Sequence, residues 1–565
     1  MDFNKKIRSH CNILWSSVSA ETLSRLGVAY AVVSPGSRST PLVYALTKHS
    51  SIKTIPVLDE RSAAFFALGL AKQTHRPVVL VCTSGTATAN YYPAIVEAFY
   101  SKVPLVVLTA DRPPELQDCY EGQAINQKHL YGTYVRSYHD LGIPEASFPA
   151  LKDLVSTLGE TLSSISTLPG PVHLNYPFRE PLIFDGSVSK ELISKKSING
   201  LLSKIPLPKK QSFDLRSDFF TDIVKKFTSC KKGVIIAGPI ERKDSKKYSK
   251  AVIELSTVLG WPVLADALSP LRFNHGDEDC IIGNYADLLK QGKVSNHQRP
   301  SVVLSLGPLP VNKLLRKWLA DVSPKLFTLN RYADEYSPLV VENEFIHSDI
   351  LHFLKLFKNV KSVKSPDYFE AWTKKNRAVA LSNDRLFSES KNLTEEKIAW
   401  LVSKCLPEKT PVFVSNSLPV RMMESCARSS NQHYDVYFNR GASGIDGIVS
   451  TALGVSYENR PSVLLVGDLT FLHDCSALRL QEILKGHLTI ILVNNNGGRI
   501  FEKLPVAKSD IDFEKYFVMP QKVDIQKLCQ AHFVEHVKVE DGESFKSLIQ
   551  KLPSKGIRVL EVIPD

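Results

Sequence analysis

The sequence predicts an α/β fold of three doubly wound parallel-sheet domains, on three observations. The chain has 565 residues, too many for one hydrophobic core when a domain takes about 150. Short apolar runs ending in Gly, Ser, Asp or Asn recur along it, each followed by sequence of helical period. Two Ser/Lys-rich stretches interrupt that rhythm.

The runs, in order, are "VAYAVVSPGS", "PVVLVCTSGTA", "PLVVLTADRP", "GVIIAGPI", "SVVLSLGPLP", "TPVFVSNS", "SVLLVGDL" and "LTIILVNNNGG". Runs that are apolar on both faces suit parallel strands covered by helices. Residues 186–215 mix Ser, Lys and Pro without sustained periodicity. Residues 359–393 are again Lys/Ser-rich and precede "TEEKIAWLV", whose Thr394 opens a capping-box-like helix start. The predicted blocks are therefore 1–185, 200–360 and 390–565, with no residue-level repeat among them.

Composition narrows the function classes. At 43% hydrophobic and 23% charged residues, the chain is neither disordered nor fibrous. A formal net charge of +12 could serve nucleic acid, but the basic residues are scattered, with no arginine-rich tail and no aromatic-basic repeat. Small anionic substrates or a phosphorylated cofactor need only a few placed arginines. The nine cysteines include no C-x-x-C, which predicts a reducing compartment without zinc or a disulfide framework. Cys82 and Cys475 stand beside strand tips and read as small apolar residues. The N-terminus "MDFNKKIRSHCNILW" lacks a signal-peptide core, and no apolar run approaches about 18 residues. The expectation is a cytoplasmic protein with no membrane partner.

Three strand tips carry the chemistry. In "VVSPGSRSTPL" a Gly/Ser turn with Ser37 and Arg38 follows an apolar run and offers amides and a cation to an anion. In the third block, "LLVGDLTFLHD" and "IILVNNNGGRIF" place Asp468 and Asn495 at the ends of two apolar runs. A carboxylate, an amide oxygen and a neighbouring carbonyl form half a shell of hard oxygen ligands, suited to magnesium or manganese on a diphosphate. Taken singly, both tips also read as turn formers. In "PVLDERSAAFFALGLA", Glu60 heads an Ala-rich helix. By itself it reads as a first-turn acid behind an Asp59 cap.

Together, G-D-x followed by N-N resembles the metal and diphosphate signature of thiamin-diphosphate enzymes, with Leu469 where that signature usually has glycine. "SPGSRSTPL", "DERSAAFFALGLAK", "TSGTATANYYPAIVEA", "LTADRPPEL", "GQAINQ", "NSLPVR", "NRGASGIDGIVSTALG" and "NNNGGRIF" resemble, in order, the 2-succinyl-5-enolpyruvyl-6-hydroxy-3-cyclohexene-1-carboxylate (SEPHCHC) synthase family of menaquinone and phylloquinone biosynthesis. The resemblance implies three domains of the thiamin-diphosphate enzyme type: pyrimidine-binding (1–185), central Rossmann-like (200–360) and diphosphate/magnesium-binding (390–565). It implies decarboxylation of 2-oxoglutarate and addition of the succinyl carbanion equivalent to isochorismate.

The same resemblance implies roles. Glu60 would activate the aminopyrimidine, while Asp468, Asn495 and the carbonyl of Gly497 would hold the metal. Ile445 would wedge between the cofactor rings. Ser37, Arg38, Arg112, Gln123, Asn416, Ser417, Arg421 and Arg440 would form the substrate pocket, with Phe501 and Leu504 as apolar lining. Lys313 matches a substrate-facing lysine, although Leu314 stands where some members carry arginine. The central block has no G-x-G-x-x-G, so neither nicotinamide nor flavin is expected. At least a homodimer is implied, since Glu60 and the metal site belong to different subunits in such enzymes; pairing of dimers into a tetramer stays open. The alternatives are another thiamin-diphosphate 2-oxoacid decarboxylase or synthase, and a non-catalytic binding protein on the cofactor fold.

Overall fold

The computed structural model describes residues 3–183, 199–200, 202–203, 218–241, 243–274, 279–332, 338–339, 341–363 and 365–565. The chain divides into two compact units. One comprises Met1–Gln211, Asn439–Glu458 and Leu472–Lys485; the other comprises Ser212–Phe438, Asn459–Phe471 and Gly486–Asp565.

The first unit is built on a six-stranded parallel sheet of β1 (Tyr30–Val33), β2 (Lys53–Pro56), β3 (Val78–Cys82), β4 (Leu105–Asp111), β5 (Tyr138–Asp140) and β6 (Val172–Pro177). Their order is β2-β1-β3-β4-β6-β5. Every residue of β3 and β4 is buried, as the unbroken apolar runs require of strands covered on both faces. The order reverses direction between β1 and β3, so the crevice beyond their carboxyl ends is the place where such sheets bind ligands.

The second unit holds two sheets. One contains β7 (Gly233–Ala237), β8 (Val263–Ala265), β9 (Ile281–Ile282), β10 (Val302–Leu306), β11 (Lys325–Asn330) and β12 (Asn343–His347), ordered β12-β11-β10-β7-β8-β9. This is the Rossmann order. The other contains β13 (Pro411–Val414), β14 (Asp435–Tyr437), β15 (Ser462–Gly467), β16 (His487–Val493), β17 (Glu535–Val539) and β18 (Gly556–Val562), ordered β14-β13-β15-β16-β18-β17. Counted along the chain, that order is identical to the first sheet's, a repeat of topology without a repeat of residues. Its reversal lies between β13 and β15.

One expectation is corrected. Residues 359–393 do not simply link two blocks: Pro366–Glu389 form a 24-residue helix. Tyr368, Trp372 and Val379 of that helix are buried in one core with Val234, Ile236 and Leu315 of the middle sheet's layer. The buried stripe is narrow, while Leu381 and Leu386 lie exposed off it among many charged and polar residues, which blurs the period in composition. Pro366 sits in the first turn, where a missing N–H costs nothing. The helix start at Thr394 is as read: Thr394 Oγ1 accepts the Lys397 amide at 3.3 Å. A lysine at that third position supplies no carboxylate for the reciprocal half of the box. The aperiodic Ser/Lys/Pro stretch at 186–215 lies, but for four residues, outside the described residues.

Within the first unit, helix Glu60–Thr74 packs on helix Ile448–Ser456 through glycine. A Cβ on Gly69 would stand 1.9 Å from the Thr451 carbonyl oxygen, and one on Gly454 would stand 2.1 Å from that of Phe66. Only glycine permits this approach, which fixes the stretch before Ile448 against the helix that begins with Glu60. Among the described residues, no helix is long and apolar enough to cross a membrane.

Candidate active site

At the first sheet's reversal, the turn after β1 crosses the turn after β3. A Cβ on Gly36 would lie 2.2 Å from Thr83 Cβ, so glycine is required there. The turn leaves Ser37 exposed and folds Arg38 inward, 5% exposed. Arg38 Nη1 donates to the Phe178 carbonyl at 3.0 Å and Nη2 to Glu180 at 3.1 Å. Arg112, 8% exposed after β4, donates from Nη1 to Ser84 Oγ at 2.7 Å and from Nη2 to the Gly122 carbonyl. The Nε atoms of both arginines are buried without a hydrogen-bond acceptor. Burial and then the neighbouring Arg112 charge hold the Arg38 guanidinium below the usual arginine range. Two buried cations that repel each other, each with an unused donor, suit an anion.

Gln123 lies on the surface of the same region in a left-handed conformation, φ 56°. Its loop is tied down by Gln127, a residue that sequence reasoning passed over. Gln127 is buried; its Oε1 accepts the Gly85 amide at 2.9 Å, and its Nε2 donates to the Ala110 carbonyl at 3.1 Å and to Asn175 Oδ1 at 2.9 Å. Gly85, at φ +87°, would place a Cβ 3.1 Å from the Gln123 carbonyl oxygen. The "GQAINQ" motif thus contains both an exposed side chain at the rim and the residue that sets its loop.

Glu60 follows β2 at the head of helix Glu60–Thr74. Asp59 caps that helix, accepting the amides of Arg61 at 2.9 Å and Ser62 at 3.2 Å. The cap is therefore Asp59's work, and the half-buried Glu60 carboxyl takes no part in it. Arg440 and Ile445 also belong to the first unit, on the loop before helix Ile448–Ser456. Ile445 is no core residue: 37% of it is exposed.

In the second unit, β15 and β16 are adjacent and end in register at Gly467 and Val493, which brings Asp468 beside the Asn494–Gly497 turn. Asp468 Oδ2 accepts the Gly497 amide at 2.6 Å, and Oδ1 accepts the Leu469 amide at 2.9 Å. Gly497 has φ +120°, and a Cβ there would lie 2.3 Å from the Val518 carbonyl oxygen. Burial pushes the Asp468 carboxyl above its usual range against those amides. Asn495 Nδ2 donates to Glu395 Oε1 at 2.6 Å, and occupying the amide nitrogen fixes which way the side-chain oxygen turns. Glu395, another residue missed from sequence, stands 100 positions away in the first turn of helix Glu395–Cys405. A carboxylate, an oriented amide oxygen and a carbonyl on a glycine-only turn fit a divalent cation with hard-oxygen preference.

Across the same sheet's reversal, Asn416 is buried just after β13, and Ser417 has φ 71°, a strained value for a non-glycine residue. Arg421, one turn on, donates Nη1 to the Ser417 carbonyl, and burial lowers its pKa. Glu424 of helix Leu418–Cys426, which carries Arg421, accepts the Ala267 amide at 2.6 Å and the Tyr285 hydroxyl, so a loop and a helix of the middle sheet's layer hold it. Phe501 packs edge-on against Phe517 at 5.7 Å, and Leu504 is 40% exposed. Lys313 is exposed in the first turn of helix Lys313–Val322, after β10.

The fold agrees with comparisons to known proteins. Three family models match in order: "Thiamine pyrophosphate enzyme, N-terminal TPP binding domain" at residues 16–130, "Middle domain of thiamine pyrophosphate" at 214–414, and "Thiamine pyrophosphate enzyme, C-terminal TPP binding domain" at 422–562. The chain is 43% identical to the 2-succinyl-5-enolpyruvyl-6-hydroxy-3-cyclohexene-1-carboxylate synthase of a Synechococcus species, over 98% of this chain and 94% of the relative. It is 42% identical to the synthase of the same name from Crocosphaera subtropica, over 98% and 95%. In fold alone it matches the solved thiamine diphosphate-dependent 4-hydroxybenzoylformate decarboxylase of Rhodococcus jostii RHA1, with TM-score 0.72 at 17% identity over 98% of this chain and 99% of that one. With likeness above two-fifths identity along nearly the whole length of both chains, this chain belongs to the 2-succinyl-5-enolpyruvyl-6-hydroxy-3-cyclohexene-1-carboxylate synthase family of thiamine pyrophosphate enzymes.

Proposed function

We propose that the chain joins 2-oxoglutarate to isochorismate with loss of carbon dioxide, giving 2-succinyl-5-enolpyruvyl-6-hydroxy-3-cyclohexene-1-carboxylate. The observation that carries this reading is the pair of buried arginines, Arg38 and Arg112, each with an unaccepted Nε at the first sheet's reversal. Both substrates are dicarboxylates, and such a pair favours an anion that neutral or singly charged substrates would not require. In the balanced reaction the C1–C2 bond of 2-oxoglutarate breaks, C2 bonds to a ring carbon of isochorismate, and the ring takes up one proton.

When bound, thiamin diphosphate supplies the electron sink for loss of carbon dioxide from a 2-oxo acid. Asp468, Asn495 and the Gly497 carbonyl would hold magnesium or manganese at its diphosphate. Glu60 would hydrogen-bond the aminopyrimidine of the bound cofactor, and Ile445 would brace it. Arg38, Arg112, Arg421 and Arg440, with Ser37, Gln123, Asn416, Ser417 and Lys313, bind and orient the two dicarboxylates. Positioning of this kind can supply much of a rate enhancement. Phe501 and Leu504 keep water from the reacting carbon, where a proton would divert the reaction to succinic semialdehyde. The chain acts as at least a homodimer, with domains at about the boundaries read from the sequence.

The test is consumption of isochorismate, followed by absorbance, with purified protein, thiamin diphosphate, magnesium and 2-oxoglutarate, beside a Glu60→Gln control. Loss that needs every component and collapses in the control is expected. Carbon dioxide without loss of isochorismate would replace the acceptor, and neither event would leave a binding protein on the cofactor fold.

A further inference from the structure

We infer that Glu97 is a positioning residue of this site: its carboxylate clamps the backbone at 441–443 and so sets where the flanking Arg440 and Ile445 are held. Glu97 lies on helix Tyr92–Ser101 and is 3% exposed. Its Oε1 accepts the Gly441 amide at 2.8 Å, while its Oε2 accepts those of Ala442 at 2.7 Å and Ser443 at 3.3 Å. Three consecutive amides converging on one carboxylate make an anion nest, here filled by a side chain 344 residues earlier in the chain.

The arrangement is specific to the loop. A Cβ on Gly441 would lie 2.6 Å from the Glu97 carbonyl oxygen and 2.8 Å from the Ser101 amide nitrogen, so only glycine lets the backbone reach the helix. Ser443 takes φ 63°, which turns its amide inward with the other two. At the loop's far end Gly447, φ +63°, would place a Cβ 1.9 Å from the Phe65 ring. Residues 440–447 are therefore seated on two helices of the first block at both ends. Burial raises the Glu97 pKa, and the Lys72 charge with the three amides opposes that rise. A buried carboxylate is costly unless its hydrogen bonds are complete, and here the completing donors are the backbone between two site residues.

The inference rests on the proposed function for what Arg440 and Ile445 do, and its test separates the two. Glu97→Gln, Arg440→Lys and the double variant are compared with wild type by KM for each dicarboxylate, by melting temperature, and by hydrogen exchange at the amides of 441–443. The expected result is exchange at least tenfold faster in Glu97→Gln. KM should rise about tenfold for the substrate whose KM Arg440→Lys raises, and the double variant should be little worse than the poorer single one. Glu97→Asp, which keeps the charge but withdraws it by one methylene, should reproduce the exchange effect if Glu97→Gln folds poorly. Unchanged exchange, a fall in kcat at constant KM, or independent multiplication of the two effects would overturn the inference. A wild-type protein that leaves both substrates untouched would remove the proposed function and the positioning role together.

Discussion

Asp468 and Gly497 are joined by a 2.6 Å hydrogen bond from the glycine amide to the aspartate carboxylate, which locks the tips of two adjacent strands into one turn. Because Gly497 sits at φ +120° with the Val518 carbonyl where a Cβ would go, Gly497→Ala must break that bond or shift the turn. The strain involved is of order 1–3 kcal/mol. Manganese affinity in the presence of thiamin diphosphate, read by electron paramagnetic resonance, should fall about tenfold or more.

The Asn495 amide oxygen can turn toward a metal because Glu395 holds the amide nitrogen. Glu395→Ala leaves that nitrogen unpaired and the side chain free to rotate. Loss of such an outer partner typically weakens metal binding about 10–100-fold. A calorimetric titration of magnesium with thiamin diphosphate present should show a drop at the lower end of that range, with the melting temperature nearly unchanged.

Arg38 is buried beside the like charge of Arg112, a cost that a dicarboxylate bound as proposed would relieve. Arg112→Gln should therefore raise KM for at least one dicarboxylate substrate by about tenfold or more, each tenfold being ~1.4 kcal/mol of lost binding. Wild-type protein should melt higher with 2-oxoglutarate present than without it, and Arg112→Gln should lose much of that shift, as differential scanning fluorimetry would record.

Acid stability follows from two buried groups of the first unit. Burial lowers the His173 pKa to about 3, so below the unfolded value of about 6.5 the unfolded chain binds the extra proton. Stability is then complete above about pH 6.5 and falls by up to about 1.4 kcal/mol per pH unit on the way down to pH 3. Asp474, pushed up to about 6 by burial despite its bonds to Ser450, acts with opposite sign and favours the folded state as pH falls from about 6 to 4. Urea unfolding as a function of pH should show a flatter acid limb for His173→Gln and a steeper one for Asp474→Asn.

What the sequence made legible was whatever lies at the end of an apolar run. Asp468 and Asn495 stand within two residues of a strand's end and Arg38 within five, so hydropathy placed them at the carboxyl edges of their sheets, where parallel topology puts ligand crevices. Glu97, Glu395 and Gln127 were not legible, because each acts on another residue's backbone or amide across a long sequence separation while standing on an ordinary helix or loop. The helix Pro366–Glu389 escaped for a different reason: its buried stripe is narrow and its composition is that of a linker. Ile445, to which the resemblance gives a role at the cofactor, is 37% exposed and so is not part of the core.

The most direct test of the central claim is stoichiometry. Purified full-length protein is supplied with thiamin diphosphate, magnesium, isochorismate and 2-oxoglutarate labelled at C1, and carbon dioxide released is counted against isochorismate consumed. The account predicts one carbon dioxide for each isochorismate, with one proton taken up from solution. Carbon dioxide released while isochorismate persists, or isochorismate lost without labelled carbon dioxide, would contradict it.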